Sequence, residues 1–268
     1  MRSSRLHAAM ALGLLGTALL VQYCHRSGRE PSLLAFAQRP AAARSATGVV
    51  APPRATLRAV GLGETCTTLG AVQEREGGEA RVETPELRLY VPGSSGVEAA
   101  LRFRYLGTTE QSARLGSGER REQVGLRLFG QDTCNALYVM WRFQPTPRLV
   151  VSLKRNPGLT RHPECQNRGY ENLRAERTRR LAPIDVGSVH ELRARLRGSR
   201  LELAIDGVVA WEGALDTRAL PASGTAGVRS DNVRFDLLSL SAEMRSEAAD
   251  AARCEGAWVE DSEEPAPP

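Results

Sequence analysis

The stretch that decides the fold lies near the C-terminus, at residues 190–240: HELRARLRGSRLELAIDGVVAWEGALDTRALPASGTAGVRSDNVRFDLLSL. Runs of alternating apolar and polar residues are separated here by Gly198-Ser199 and by Asp206-Gly207. Two such runs joined by Asp-Gly predict a β-hairpin with a two-residue turn. We therefore predict that the whole stretch is antiparallel β-structure.

The same alternation continues upstream in five shorter runs, at residues 87–91, 99–105, 124–129, 137–143 and 149–153. Short period-2 runs separated by turn residues are typical of an antiparallel sandwich in which each sheet turns one face to the core. No segment between them has a long helical pattern, which disfavours folds with parallel sheets and crossover helices. The predicted fold class is all-β.

The quoted stretch also carries a family resemblance. Its pattern H-x-L-x-x-x-L-x-G-x-x-L-x-L-x-I-D-G, followed by G-T-A-G-V-R-S-D-N-V-R-F-D, resembles the C-terminal half of concanavalin A-like jelly rolls. That superfamily includes LamG-type modules, legume-lectin-like domains and several glucanases, and the resemblance covers roughly residues 61–243. It implies an antiparallel jelly-roll β-sandwich, and it makes carbohydrate the expected ligand class without identifying one family.

The composition divides the chain into four predicted parts. Residues 1–25 read as a signal peptide or a membrane anchor through residues 6–23, because arginines precede an apolar run. Residues 26–60, rich in Ala, Pro and Arg, are predicted to be a flexible linker, and residues 61–243 the sandwich. Residues 244–268 are predicted to form an acidic disordered tail with a short helix, drawn from Ser241–Arg253. We expect an exported protein, periplasmic, cell-envelope or extracellular, and both cleavage and anchoring stay open.

The charge distribution argues against a nucleic-acid groove. The net charge is +5, but residues 1–60 carry eight arginines and a single glutamate, so the basicity belongs to the N-terminal arm. We therefore expect no nucleic-acid partner.

The cysteines predict disulfides. Apart from Cys24, the chain has four, an even number that suits an oxidising compartment. Three pairings are possible, and we favour Cys134–Cys165, which closes a long loop, with Cys66–Cys254, which ties the ends of the domain together.

Six residues are candidates for ligand binding. Tyr138 and Arg142 alternate with core positions of one strand, and a long polar loop at residues 155–183 contributes three more candidates. The sixth candidate, Trp211, depends on the register of its hairpin. A two-residue turn would place its side chain outside the core, whereas a bulge would return it to the core. The full set is Trp211, Tyr138, Arg142, His162, Tyr170 and Asn172. The alternative interpretation of the loop is an ordered cover over a sheet edge. The outward arginines have two interpretations, as a surface for an anionic polymer or as partners of cross-strand glutamates.

Catalytic motifs are missing from the sequence. There is no E-x-D-x-E strand, G-x-S-x-G or H-E-x-x-H pattern. We therefore predict a non-catalytic, envelope-tethered module for oligo- or polysaccharide, with a glycoside-processing domain or a structural envelope protein as alternatives. A structural Ca²⁺ is a further hypothesis, on Asp132, Asn135, Asp231 and Asn232, although each also suits an Asx turn.

Overall fold

The computed structural model describes residues 57–221, residues 223–245 and Cys254, apart from the side chain of Glu76. The first eight strands are β1 Leu57–Val60, β2 Cys66–Leu69, β3 Gln73–Glu74, β4 Ala80–Val82, β5 Glu86–Val91, β6 Ser94–Thr108, β7 Gln123–Gly130 and β8 Ala136–Arg142. The others are β9 Arg148–Lys154, β10 Tyr170–Asn172, β11 Arg177–Thr178, β12 Val189–Arg197, β13 Arg200–Ile205, β14 Val208–Ala214, β15 Thr225–Asp231 and β16 Val233–Met244. One short α-helix within the described residues, α1, spans His162–Cys165, and 3₁₀ turns span Leu62–Glu64, Glu76–Gly78 and Thr217–Ala219.

The strands form two antiparallel sheets. Sheet A has nine strands, in the order β11-β14-β13-β12-β6-β16-β4-β3, with β1 also paired to β16. Sheet B has seven strands, in the order β10-β9-β8-β7-β15-β5-β2. The prediction of an all-β antiparallel sandwich is confirmed, and the architecture agrees with the jelly roll that the resemblance implies. None of the helices within the described residues is long and apolar enough to span a membrane.

The Asp-Gly hairpin forms as predicted. Ile205 pairs with Val208, so Asp206 and Gly207 are the two turn residues. Their φ angles are 51° and 78°. Positive φ at both turn positions is the geometry that Asp-Gly favours, because glycine carries no Cβ to clash and aspartate tolerates the left-handed region.

The core lies between the two sheets and is built from the alternating apolar residues. Phe103 of sheet A is fully buried, with its ring centroid 6.0 Å from that of Trp141 and 6.1 Å from that of Phe235, both in edge-on contacts. Burying a side chain of this size contributes on the order of 1.5–3 kcal/mol. The hydrophobic contact between sheets therefore holds the sandwich together.

The predicted long loop is partly strand. β10 adds to β9 at one edge of sheet B, and β11 adds to β14 at the edge of sheet A. The chain thus crosses from one sheet to the other between residues 172 and 177. Every residue of β10 and β11 is exposed, so no apolar alternation marked these strands in the sequence.

Both predicted domain boundaries need small corrections. β1 begins at Leu57, inside the predicted linker, because residues 57–60 pair with residues 240–243 of β16. Ser241 to Met244 belong to β16 rather than to a helix, since Leu240 and Ala242 alternate into the core and the ladder bonds satisfy the backbone. The predicted signal or anchor (1–25), the linker up to residue 56 and residues 246–268 other than Cys254 lie outside the described residues.

Both favoured disulfides are confirmed. Cys134 and Cys165 are bonded with a Cα–Cα distance of 5.8 Å. Cys66 and Cys254 are bonded with a Cα–Cα distance of 5.6 Å, across a sequence separation of 188. The second bond joins residue 254 to edge strand β2 of sheet B.

Candidate functional site

The face of sheet B that points away from the core, here called the outer face, gathers most of the polar candidates. Cross-strand register sets Tyr138 opposite Arg127 and Ser152, and Ser152 opposite Asn172. Tyr170 is opposite Lys154 on the same edge. The outer face comprises Arg88, Tyr90, Gln123, Arg127, Tyr138, Met140, Arg142, Val150, Ser152, Lys154, Tyr170, Asn172, Arg229 and Asp231.

The centre of this face is covered by the loop at residues 109–122. At one end of sheet B, Asn232 accepts a hydrogen bond from the Ala113 amide and donates to the carbonyls of Ala113 and Arg121. At its tip, Gly116 lies against Asn167, so closely that a Cβ there would be 2.0 Å from the Asn167 amide nitrogen. The covering explains why Tyr138 and Met140 are each only 5% exposed although they face away from the core. What remains accessible is the β8–β9–β10 side.

Aromatic rings and cations are stacked beside the accessible β8–β9–β10 side of the outer face. The Tyr138 ring centroid is 6.1 Å from that of Tyr170, and the Arg229 guanidinium carbon is 5.0 Å from the Tyr138 ring. The Lys154 ammonium is 5.2 Å from the Tyr170 ring centroid. Cation–π contacts of this kind are worth about 0.5–2 kcal/mol. They hold Tyr170 in place while leaving it 42% exposed.

A buried ion-pair network lies on the outer face, on the strands in the middle of sheet B. The Asp231 carboxylate accepts hydrogen bonds from Arg88 at 2.9 Å, from Arg229 at 3.1 Å and from the Gln123 amide. Burial by itself would raise the pKa of Asp231, but the charges of Arg229 and Arg88 and the Gln123 hydrogen bond outweigh it. The pKa of Asp231 is therefore held well below its ordinary value, and the carboxylate is ionised in the folded protein.

A pocket of about 410 Å³ opens at the β8–β9–β10 side of the outer face. Its lining residues are Glu119, Arg121, Arg142, Arg148, Leu149, Val150, Val151, Asn172 and Leu173. Polar groups from the 109–122 loop and from β8, β9 and β10 thus meet apolar side chains of β9 and of Leu173, which follows β10. The accessible lining is mostly polar, so the pocket offers mainly charged and hydrogen-bonding groups.

Arg142 is the unusual member of this pocket. Its Nε atom is buried without a hydrogen-bond partner among the described residues. Burial lowers the pKa of Arg142, and so do the positive charges of Arg121 and Arg148. Because an arginine pKa starts above 12, the guanidinium remains charged near neutral pH. By contrast, the hydrogen bond from Arg121 holds the pKa of Glu119 below its usual range.

Four of the six predicted site residues lie together on the outer face. Arg142 and Asn172 line the pocket, Tyr170 precedes Asn172 by two positions on β10, and Tyr138 lies under Tyr170. The Asn172 side-chain oxygen accepts a hydrogen bond from the Ser152 hydroxyl at 2.7 Å, which leaves its NH₂ group facing solvent.

Trp211 is not on a binding face. Leu203 pairs with Trp211 and Ala204 with Val209, so Ala210 is an extra residue in a β-bulge. The bulge shifts the register by one residue and turns the Trp211 ring into the core, where it is 4% exposed. Of the two registers that the sequence left open, the structure has the one with a bulge, although the turn itself has two residues.

His162 also lies apart from the pocket. It begins α1, the helix that ends at the disulfide-bonded Cys165, and it is not among the residues that line the pocket. The loop around it is ordered by Asn135 and Asn156, whose amides bind the carbonyls of Leu159 and Arg168. This part of the loop is therefore packed as a cover, which was the alternative interpretation.

The residues considered for calcium are occupied by protein partners. Asp132 accepts hydrogen bonds from the Cys134 amide and from Asn135, as an Asx turn does. Asn232, with φ of 55°, ties down the 109–122 loop, and Asp231 is bound by arginines. In the part of the chain that the structure describes, no group of three His, Cys, Asp or Glu side chains could hold a metal ion.

A hydrogen-bonded chain of Ser188, His190 and Asp206 has the order of a hydrolytic triad. His190 Nδ1 is 2.8 Å from Asp206 Oδ2, and His190 Nε2 is 2.9 Å from Ser188 Oγ. However, the Ser188 hydroxyl donates to the carbonyl of Asp185 at 2.6 Å, so its hydrogen is not directed at the imidazole as a nucleophile requires. The His190 ring also packs edge-on against Trp141, 5.2 Å between centroids. The arrangement serves to satisfy a histidine at the margin of the core.

Sequence reasoning identified Arg142 and Asn172 of the pocket and missed its other residues, among them two arginines. Arg148 is the direct cross-strand partner of Arg142 across the β8–β9 hairpin, a relationship that the Pro145 and Pro147 turn could have suggested. Arg121 reaches the pocket through a loop held by Asn232, more than 100 residues later in the chain. No local pattern signals that contact.

Comparison with known proteins gives structural similarity only. No protein-family model matches the sequence, and no curated protein matches it significantly. The carbohydrate binding module CBM66 from Bacillus subtilis aligns with a TM-score of 0.44 at 12% identity, over 68% of this chain and 93% of that one. The exoplasmic/lumenal domain of VIP36 in its Ca²⁺/Man-bound form aligns with a TM-score of 0.43 at 14% identity, over 68% and 84%.

A putative glycosyl hydrolase from Parabacteroides distasonis aligns with a TM-score of 0.43 at 10% identity, over 70% of this chain and 100% of that one. Similar structures thus include a carbohydrate-binding module, a lumenal domain bound to mannose and a hydrolase-like protein. At these scores the similarity identifies neither a ligand nor an activity for this chain, and the sheet topology above is what establishes its fold.

Proposed function

We propose that this protein is a non-catalytic carbohydrate-binding module whose site is the pocket at the β8–β9–β10 side of the outer face. The observation that carries the proposal is that Arg142 and Asn172 line one open pocket, while the exposed Tyr170 ring lies two residues before Asn172 on the same strand. Sugars present hydroxyl groups at their edges and C–H groups on their faces. A tyrosine ring beside planar hydrogen-bonding side chains suits both.

The acid–base groups support binding rather than hydrolysis. Glycoside hydrolysis usually needs two carboxyl groups on opposite sides of the scissile bond. Glu119 is the only carboxylate among the residues that line the pocket, and Arg121 pairs with it. A glycoside-processing activity therefore has no acid–base pair at this site.

We further propose that the module is exported and held at the cell envelope by its N-terminal segment. Two disulfides between residues far apart in sequence support an oxidising compartment. Thiol alkylation before and after reduction, with fractionation of cells that produce the full chain, tests this. Free thiols at Cys66 and Cys134 in a cytosolic fraction would contradict it.

A binding screen tests the main proposal. The full chain, with its disulfides formed, is applied to a panel of oligo- and polysaccharides with and without EDTA, and affinities are measured by calorimetry. We expect Tyr170→Ala and Asn172→Ala to weaken binding by about tenfold each. Val208→Ala, at a residue 48% exposed on sheet A, is the control and should change nothing. A uniform lack of binding across the panel would overturn the proposal.

A further inference from the structure

Several arginines that face outward from the two sheets form ion pairs with carboxylates. Arg88 pairs with Asp231 at 2.9 Å, and Arg104 pairs with Asp236 at 3.2 Å. Glu98 receives both Arg193 and Arg195. For these residues the cross-strand partners predicted as the alternative account for the charge, so an anionic polymer is not required.

The pocket is different because its positive charge exceeds its negative charge. Arg121, Arg142 and Arg148 line it, against the single carboxylate of Glu119, which Arg121 already engages. Neither Arg142 nor Arg148 forms an ion pair with any residue in the described part of the chain. Three guanidinium groups thus line the pocket beside one carboxylate, which leaves its lining with a net positive charge.

The surroundings of Arg142 disfavour its positive charge when no ligand is bound. Burial and the neighbouring arginines both lower the pKa of Arg142, which means that its charged form is disfavoured there. Its Nε atom is buried with no acceptor, although buried donors in folded proteins almost always have one. An arriving anion would offset the repulsion among the three arginines.

From this geometry we infer that the pocket binds the carboxylate of an acidic sugar, with Arg142 as the main anchor and Arg148 beside it. The inference rests on the proposed carbohydrate-binding function and narrows it to uronate-containing glycans. A carboxylate is planar and accepts two parallel hydrogen bonds, which is the geometry that a guanidinium offers. The Asn172 NH₂ group can donate to a neighbouring hydroxyl, and Leu149, Val150 and Leu173 supply apolar surface for the ring.

A pair of ligands that differ in the charge of one group provides the test. A short galacturonate oligosaccharide and the same oligosaccharide as its methyl ester are titrated into the full chain at low salt. We expect the acid to bind at least about tenfold more tightly than the ester, and the difference to shrink as salt rises. Arg142→Met should remove the difference, Arg142→Lys should restore part of it, and Arg148→Gln should reduce it. Arg218→Gln, at a 90% exposed side chain, is the matched control and should leave it unchanged.

The experiment distinguishes a failure of this inference from a failure of the proposed carbohydrate-binding function. Equal affinity for acid and ester, or an unchanged preference in Arg142→Met, would overturn the inference while leaving carbohydrate binding intact. Preference for a sulfated oligosaccharide over the uronate would overturn the assignment of a carboxylate. If neither the acid, the ester nor any glycan of the panel binds, both the inference and the proposed function fail. Thermal unfolding of each variant confirms that it is folded.

Discussion

At the scale of single residues, we expect Arg142 to contribute to ligand binding but not to the stability of the fold. Its guanidinium is desolvated and repelled by two neighbours, so the folded state has a lower Arg142 pKa than the unfolded state. We expect Arg142→Met to keep or raise the free energy of unfolding, by up to about 1 kcal/mol, while it weakens ligand binding. Chemical denaturation of both proteins at neutral pH measures this. A loss of more than about 1 kcal/mol would show that Arg142 is mainly structural.

Asp231 should behave in the opposite way. Its removal leaves Arg229 buried without a counter-charge, since Arg229 has no other carboxylate partner among the described residues. We expect Asp231→Asn to lower the free energy of unfolding by about 3–5 kcal/mol. Because the folded pKa of Asp231 is depressed, its stabilisation is complete above the unfolded pKa of about 3.9 and is lost as pH falls further. Wild type should therefore lose stability in that acidic range more steeply than Asp231→Asn.

Ser188 offers a direct test of the triad-like chain. We expect Ser188→Ala to lower the free energy of unfolding by about 0.5–1.5 kcal/mol, the value of a lost hydrogen bond, and to leave glycan affinity unchanged. We also expect a fluorophosphonate probe to leave Ser188 unmodified, as judged by intact mass. Stoichiometric labelling of Ser188 that depends on His190 would instead indicate a serine hydrolase.

At the scale of elements, one inserted residue decides the role of β14. The bulge at Ala210 brings Trp211 into the core opposite Leu203. Deleting Ala210 should restore simple alternation and turn the ring outward, at a cost of about 3–5 kcal/mol, similar to truncating a buried tryptophan. Tryptophan fluorescence would measure the change in exposure of the ring, and chemical denaturation the loss of stability. Gly198→Ala at the neighbouring β12–β13 turn is a milder control. An unchanged emission maximum would mean that the hairpin re-forms the bulge elsewhere.

At this scale, a strand could be predicted from the sequence where apolar and polar residues alternate along it. The runs at residues 87–91, 124–129, 137–143 and 149–153 correspond to β5, β7, β8 and β9, because one face of each strand is apolar. β10 and β11 could not be foreseen, since all their residues are exposed and their pairing depends on free sheet edges. The pocket depends on β10, so its shape was equally inaccessible to local patterns.

At the scale of the whole molecule, the Cys66–Cys254 disulfide closes almost all of the described chain into one loop. In the chain-entropy model, a cross-link over a long loop restricts the unfolded state most. We expect Cys66→Ala with Cys254→Ala to lower the free energy of unfolding by about 2–5 kcal/mol. Glycan affinity should be preserved, because neither cysteine lines the pocket. A parallel loss of affinity in the folded variant would indicate that the C-terminal segment contributes to the site.

The sequence by itself determined the all-β class, most strands and the Asp206-Gly207 hairpin, and it predicted two disulfides, whereas their pairing was a choice among three that the structure confirmed. These features follow from period-2 burial, turn chemistry and the parity of the cysteines, all of which are local or countable. Only the tertiary structure decided that Trp211 is buried, that Arg88 and Arg104 are neutralised and that Arg142 is not. Those outcomes depend on a single extra residue in one strand and on carboxylates contributed from distant parts of the chain. The physical reason is that alternation places a side chain on a face, whereas its partners across strands and loops determine its charge balance and its exposure.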